Sequence, residues 1–269
     1  MGMTIAEKIL ARASGRDRVA AGDMVTVKVD TAVLFDINFV PSIWQEVLKL
    51  DYPERVVVIL DHHVPAPTIQ TAAAHRTARR FVEKFGIARF HDVGATQGIC
   101  HQVVADQGYA LPGTVLVCSD SHTCSAGVFN CVARGVGLSE SIYAAVRGET
   151  WFRVGATLRY ELTGALRNGV TAKDVFLHIA GTYGDHATQN VEFGGPALAD
   201  LSISARKTLA TMGAELSCEF ATFEPDAVLV DYLRACGKTG FETVRPDADA
   251  KYLETRTGDL GLLEPLVAA

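Results

Sequence analysis

The sequence predicts an α/β protein whose sheet is mostly parallel, with helices on both faces and two packed α/β subdomains. Two observations predict this class. Short apolar runs, such as residues 55–60 and 114–118, alternate with longer segments in which apolar residues recur at helical spacing. The short runs are continuously apolar, which is typical of strands buried on both faces of a parallel sheet. A hydrophobic content of 48% over 269 residues is enough for a sizeable core.

The first half of the chain is predicted to alternate strands and helices. Strands are expected at residues 23–30, 55–60, 87–90 and 114–118. Helices are expected at residues 4–13, 43–50, 68–84, 97–105 and 126–137, the third of them capped by Thr68. The helix over residues 126–137 rests on the apolar spacing of Val128, Cys131, Val132 and Val136.

The second half has a different character, beginning near Gly148. Strands are expected at residues 153–162 and 190–194, and helices at residues 171–180, 198–212 and 225–236. The tail, residues 241–269, is predicted as mixed strand and loop. Because no linker or low-complexity tract separates the halves, we expect two subdomains, residues 1–149 and 150–269, that pack together.

Composition limits the classes of function and the location. A net charge of -6 and a pI of about 5.7 argue against a nucleic-acid partner. The six cysteines form no CxxC pair, which is typical of reduced thiols in a cytoplasmic protein. We see no signal peptide and no apolar run of membrane-spanning length.

Acidic and imidazole side chains follow two of the predicted strands. Asp61 and His62 end one strand, Asp120, Ser121 and His122 end another, and His101 lies near the start of the intervening helix. Because ligands of open α/β sheets bind at the carboxyl ends of the strands, we expect the three histidines to face one crevice. A carboxylate beside an imidazole orients it and favours its charged form, which makes a positioned proton donor.

Other interpretations of these residues stay open at this point. Asp120 and Ser121 are also the residue types that cap helices, and a strand-end histidine can simply lie in a loop. A mononuclear metal held by His62, His101 and His122 is conceivable, although the spacing does not require one.

Five segments together resemble the aconitase superfamily, and most closely the large subunits of 3-isopropylmalate dehydratase and homoaconitase. They are LDHHVP at residues 60–65, GICHQ at 98–102, VCSDSHT at 117–123, VEFGG at 191–195 and MGAE at 212–215. Their order and spacing extend along nearly the whole chain. The resemblance implies a hydro-lyase, or a component of one, that moves a hydroxyl group on a small hydroxy-di- or tricarboxylate such as isopropylmalate, homocitrate, homoaconitate or citrate.

The resemblance also implies roles for particular residues. It pairs Asp61 with His62, Asp120 with His101, and Glu215 with His122 as catalytic dyads. It places Ser121, Asp30 and Thr211 at the substrate. Thr211 stands where the family often has asparagine, and its shorter side chain changes that contact.

The cofactor implied by the resemblance is a [4Fe-4S] cluster with one iron open to substrate. In the family its three cysteine ligands belong to a later domain, and this sequence has no counterpart of them. The cysteines present, among them Cys118, Cys124 and Cys131, are interpreted as small buried hydrophobic residues. Partner chains carrying the cluster domain and the swivelling domain are therefore expected.

Four hypotheses follow from the sequence. The chain is one component of a split hydro-lyase, or a fragment of such an enzyme that is inert alone. Alternatively, it is a cluster-free enzyme that uses the same crevice for acid–base isomerisation, elimination or decarboxylation, with a mononuclear metal or none. The last alternative is a non-catalytic regulatory module, and retention of all the dyad residues argues against it.

Overall fold

The computed structural model describes residues 2–267 as strands and helices that alternate along most of the chain. The strands are β1 (Met24–Lys28), β2 (Thr31–Phe35), β3 (Val56–Ile59), β4 (Arg89–His91), β5 (Val115–Cys118), β6 (Val132–Gly135), β7 (Glu149–Arg153), β8 (Ala156–Thr163), β9 (Gln189–Gly194), β10 (Ala221–Phe223) and β11 (Glu254–Asp259). The α-helices are α1 (Ile5–Ser14), α2 (Ile69–Phe85), α3 (Cys100–Asp106), α4 (Leu138–Arg147), α5 (Ala172–Tyr183), α6 (Ile203–Thr211) and α7 (Ala227–Ala235). The predicted α/β class is confirmed.

Two parallel sheets carry the fold. The first has the order β4-β3-β2-β5-β6, and the second has the order β10-β9-β8-β11. Every strand pair in both sheets is parallel, whereas β1 and β7 form a separate antiparallel ribbon. In the first sheet β2 lies between β3 and β5, and Val33 is in register with Val57 and Cys118. The carboxyl ends of these three strands consequently lie side by side at one edge.

The first sheet is buried on both faces, which explains why its strands are continuously apolar. Along β2, Val33 and Phe35 pack into one hydrophobic cluster, while Ala32 and Leu34 pack into another. The second cluster also contains buried residues of α1, α2 and α4. The first contains residues of α3 and of the second sheet. Burial on both sides anchors the strand ends rigidly.

The two halves meet through buried polar contacts as well as apolar packing. Glu192 on β9 is fully buried and accepts a hydrogen bond from the Ile5 backbone N–H at 2.8 Å. Its other oxygen accepts from Arg159 Nη1 at 2.9 Å. Strand β7, from beyond the predicted boundary at residue 149, pairs with β1 from before it. The division at residues 149 and 150 stays a prediction.

Two predicted helices are wrong. Residues 126–137 form the end of a 3-10 helix, Ser121–Phe129, followed by β6. Asn130 adopts a left-handed conformation with φ of 59°, which ends the helical segment. Residues 43–50 contain no helix. Val47 and Leu50 are buried there without helical structure, and Leu48 is 84% exposed.

Other elements follow the predictions more closely. Helix α2 begins after Thr68, whose hydroxyl accepts from the Thr71 backbone N–H as expected of a cap. Strands β2, β6, β7 and β10 and helix α4 were not predicted. None of the helices within residues 2–267 combines the length and the hydropathy needed to cross a bilayer.

Candidate active site

Three neighbouring strand ends supply the polar residues that meet at one edge of the first sheet. Asp36 follows β2, Asp61 and His62 follow β3, and Asp120 follows β5. Because the three parallel strands are adjacent, their carboxyl ends bring these side chains together. His101 enters from the first turn of α3. The structure thus brings together the three histidines that the sequence placed in one crevice.

Asp120 is the centre of this cluster. Its Oδ1 lies 2.8 Å from His101 Nε2, and its Oδ2 lies 3.2 Å from His62 Nε2. Oδ1 also accepts from the His122 backbone N–H at 2.7 Å, because Asp120 caps the 3-10 helix that begins at Ser121. The hydrogen bond from His101 holds the pKa of the Asp120 carboxyl well below its usual range, against the opposing effect of burial. Asp120 is consequently an anion shared by two imidazole rings.

His62 lies between two carboxylates. Its Nδ1 is 2.6 Å from Asp61 Oδ1, and Asp120 is at its other ring nitrogen. The ring stacks on Phe35 with 4.4 Å between centroids. Asp61 also accepts from the Cys100 backbone N–H, which ties the end of β3 to the start of α3. A ring with a carboxylate at each nitrogen donates on both sides only when it carries both protons.

His122 and Glu215 form the most exposed pair of the cluster. His122 Nε2 is 3.3 Å from Glu215 Oε1, and Ser121 Oγ is 3.4 Å from His122 Nδ1. Their side chains are 40% and 56% exposed, against 20% for His101. Glu215 comes from a 3-10 helix, Met212–Leu216, that directly follows α6. All three acid–imidazole pairs expected from the sequence are therefore within hydrogen-bonding distance.

Two buried residues that sequence reasoning missed hold the strand-end loops in place. Asp36 accepts from the backbone N–H groups of His62 and His63 at 3.0 and 2.8 Å. Asn38 Oδ1 accepts from Ser119 Oγ at 2.9 Å, beside Asp120. The signal was present as a polar Asp-Ile-Asn following the apolar run 31–35. It was overlooked because β2 itself was not predicted.

The predicted location of Asp30 in the crevice is wrong. The strand expected to end at Asp30 ends at Lys28, and Asp30 precedes β2, at the sheet edge opposite the histidines. Its Oδ2 accepts from the Val115 backbone N–H at 2.8 Å and so joins the start of β2 to that of β5. Thr211 ends α6, and its carbonyl oxygen lies 3.6 Å from Cys124 Sγ. It lies four residues before Glu215, and its predicted contact with substrate stays a prediction.

The side chains that can converge on a metal ion differ from the three histidines considered above. Within residues 2–267, ligand atoms of Asp36, Asp61 and His62 can lie within 4.8 Å of one another. Both oxygens of Asp36 already accept backbone N–H groups, and both nitrogens of His62 face carboxylates. The ligand atoms of Asp36 and His62 therefore already have hydrogen-bond partners within the protein.

The cysteines of residues 2–267 do not fit an iron–sulfur cluster, which needs converging thiolates. Burial raises the pKa of the Cys124 thiol to about 12, and it also raises the pKa of Cys131 and Cys218. Cys131 Sγ donates to the Ala126 carbonyl oxygen at 3.1 Å inside the core. Thiols that are buried and protonated serve as packing groups.

Comparison with known sequences places this geometry in context. The sequence profile of the family described as Aconitase family (aconitate hydratase) matches residues 9–269. The chain is 48% identical over 268 residues to the 3-isopropylmalate dehydratase large subunit of Mycolicibacterium smegmatis, covering 100% of this chain and 63% of that protein. It is 38% identical over 276 residues to the probable methanogen homoaconitase large subunit of Methanothermobacter thermautotrophicus, covering 99% and 64%. The chain therefore spans less than two thirds of the length of these relatives.

A solved structure shares the fold. The holo-form of aconitase X from Thermococcus kodakaraensis matches with a TM-score of 0.50 and 14% identity, over 87% of this chain and 57% of that one. At 14% identity the match supports a shared fold and nothing further.

Proposed function

The chain belongs to the aconitase family, and we propose that it is the acid–base component of a hydro-lyase acting on a small hydroxy-di- or tricarboxylate. The observation that carries the proposal is the Asp120 carboxylate shared by His62 and His101 at adjoining strand ends. Elimination of water requires a proton for the departing hydroxyl group while the C–O bond breaks, and a base for the proton on the neighbouring carbon. An imidazole held by a carboxylate is suited to the first task.

His101 is assigned as the proton donor to the hydroxyl group. It is the least exposed of the three histidines, and the hydrogen bond with Asp120 fixes the orientation of its ring. His62 and His122 are assigned to the substrate carboxylates, with Asp61 and Glu215 orienting their rings. Ser121 lies beside His122 and can donate to substrate. Catalytic groups held by buried strand ends lose little freedom when substrate binds.

The carbon-bound proton, the cluster and the choice of substrate are assigned to protein outside these 269 residues. The resemblance places the three cluster cysteines on a later domain and implies a separate swivelling domain, and two relatives carry the name large subunit. When bound, a [4Fe-4S] cluster would supply a Lewis acid for the hydroxyl group. We therefore expect partner chains, and a cytoplasmic location in keeping with six free cysteines.

Turnover in the assembly reconstituted with those partner chains tests the assignment. His101→Ala and Glu215→Gln are each expected to lower the rate by about a hundredfold or more, since positioned acid–base groups contribute that much. His178→Ala, which changes an exposed histidine on α5, is the matched control and should leave the rate unchanged. Circular dichroism and thermal melting check that each variant is folded. Near-wild-type rates in both test variants would refute the dyad assignment.

A second candidate is a cluster-free enzyme that works in the same crevice with one metal ion, favoured by the convergence of Asp36, Asp61 and His62. Iron and acid-labile sulfide, measured on this chain purified anaerobically without partners, separate the candidates. The proposed function predicts values near zero for both. Iron without sulfide would support the second candidate. Close to four of each per chain would mean that the buried cysteines do bind a cluster.

A further inference from the structure

A groove of about 280 Å³ lies beside the candidate active site, between α3 and α6. It is lined by Gln102, Ser204, Lys207, Thr208, Thr211 and Met212. Gln102 is the next residue after His101, and Thr211 is the last residue of α6 before the segment that carries Glu215. The groove is therefore lined by chain neighbours of His101 and of the segment that carries Glu215, and it has its own set of polar side chains.

Lys207 is the cation of this groove. Its Nζ donates to Gln102 Oε1 at 2.8 Å, so the ammonium group is held across the space between the two helices. Burial lowers the pKa of Lys207, and the charge of Asp106 opposes that effect only in part. Among residues 2–267, Lys207 has an amide oxygen and no carboxylate as its direct partner. The charge is thus partly dehydrated and incompletely compensated.

The side chains around Lys207 determine where an anion could contact its ammonium group. Asp106 accepts from Gln102 Nε2 at 2.6 Å, so Gln102 orients its oxygen towards Lys207 and its nitrogen towards Asp106. Ser204 and Thr211 line the same groove, and they lie about one turn before and one turn after Lys207 on α6. Lys207 and Thr211 are four residues apart on α6 and share one helix face. Hydroxyl donors beside an ammonium group form a set of donors suited to an anion.

We propose that the groove between α3 and α6 binds a carboxylate group through Lys207, with Thr211, one turn further along α6, as a hydroxyl donor. The carboxylate has two sources, which are the far end of a substrate held in the crevice or a separate small carboxylic acid. The first source rests on the proposed function. In that case the charge of Lys207 favours a substrate with a carboxylate at this end over a substrate with an alkyl group there. The second source is independent of the proposed function.

Two probes that differ in a single group provide the test. Tricarballylate carries a third carboxylate where 2-ethylsuccinate carries a methyl group. Calorimetric titration of this chain is expected to show about tenfold tighter binding of tricarballylate, the usual value of a charge-assisted hydrogen bond. Lys207→Met keeps the length and removes the charge, so it should abolish that difference. Lys207→Arg should retain most of it, and Lys173→Met on the exposed face of α5 is the matched control.

A second readout follows the lysine directly. In nitrogen-15 spectra of the Lys207 ammonium group, bound tricarballylate should raise the pKa of that group, because an opposite charge favours the protonated form. Equal affinity of the wild type and Lys207→Met for tricarballylate, together with an unchanged Lys207 titration, would overturn the proposal. Binding that also weakens in His101→Ala identifies the substrate as the source. Binding of tricarballylate and succinate that depends on Lys207 but not on His101 identifies a separate ligand.

The binding and turnover measurements distinguish failure of the groove proposal from failure of the proposed function. If the groove proposal is wrong, Lys207→Met binds tricarballylate as the wild type does, whatever the effect of His101→Ala on turnover. If the proposed function fails, His101→Ala keeps its turnover, whatever Lys207→Met does to binding.

Discussion

Replacement of Asp120 by asparagine should destabilise the fold in a way that depends on pH. The carboxylate accepts from His101, His62 and the His122 backbone N–H, and its side chain is only 15% exposed. Asparagine keeps the shape and loses the charge. Hydrogen bonds to charged groups contribute about 1.5 to 3 kcal/mol each, so Asp120→Asn should lower the free energy of unfolding by about 2 kcal/mol near pH 5.

The direction of the pH dependence follows from the lowered pKa of Asp120. A carboxyl group whose pKa falls on folding stabilises the protein above its unfolded value and loses that contribution as the pH falls through the folded one. With an unfolded pKa of about 3.9, the loss between about pH 5 and pH 3.5 amounts to about 0.7 kcal/mol. The cost of Asp120→Asn should shrink by this amount, because the variant has no such group to titrate.

Urea unfolding followed by circular dichroism measures both values. Asp200→Asn, at an exposed aspartate, is the control and should show no cost at either pH. A cost that stays constant or grows between pH 5 and pH 3.5 would refute the view that Asp120 is an anion held by imidazole donors.

Two further predictions concern the residues that position the site. Asp36→Ala should lower the free energy of unfolding by about 2 kcal/mol, since it leaves two partly buried backbone N–H groups without their acceptor; unchanged urea midpoints would contradict this. Gly127→Ala should cost about 3 kcal/mol, because a Cβ there would overlap the Ala221 carbonyl oxygen and push the 3-10 helix off β10. Gly181→Ala on α5 meets nothing within 4 Å and should instead stabilise the chain by about 0.5 to 1 kcal/mol. Equal melting temperatures for the two glycine variants would refute the steric argument.

The strand ends that carry histidine could be predicted from the sequence because the chemistry there is local. The apolar run before Asp61 and the run before Asp120 each stop abruptly at charged residues, and a sheet buried on both faces requires that pattern. The same reasoning failed at residues 126–137. The apolar positions 128, 131, 132 and 136 fit a helix, but they also allow a short buried strand. The left-handed conformation of Asn130 ends the helical segment before the strand β6.

The sharing of Asp120 between His62 and His101 could not be predicted, because it depends on the order of strands. The family resemblance assigned one carboxylate to each imidazole, and only the pair of Asp61 and His62 consists of neighbours in the chain. Contact between the end of β3 and the end of β5 requires both to lie within reach across β2, and strand order is a property of tertiary packing.

The strand between them, which carries no histidine, turns out to decide the geometry of the site. Asp36, directly after β2, binds the backbone of the loop that carries His62, and Asn38 binds Ser119 on the loop that carries Asp120. The side chains of Asp36 and Asn38 are both buried, so the hydrogen bonds that they make to each loop are shielded from water. The distance between His62 and the Asp120 carboxylate is therefore set by β2 and its two polar residues, and substitutions there should alter the site without removing any group that touches substrate.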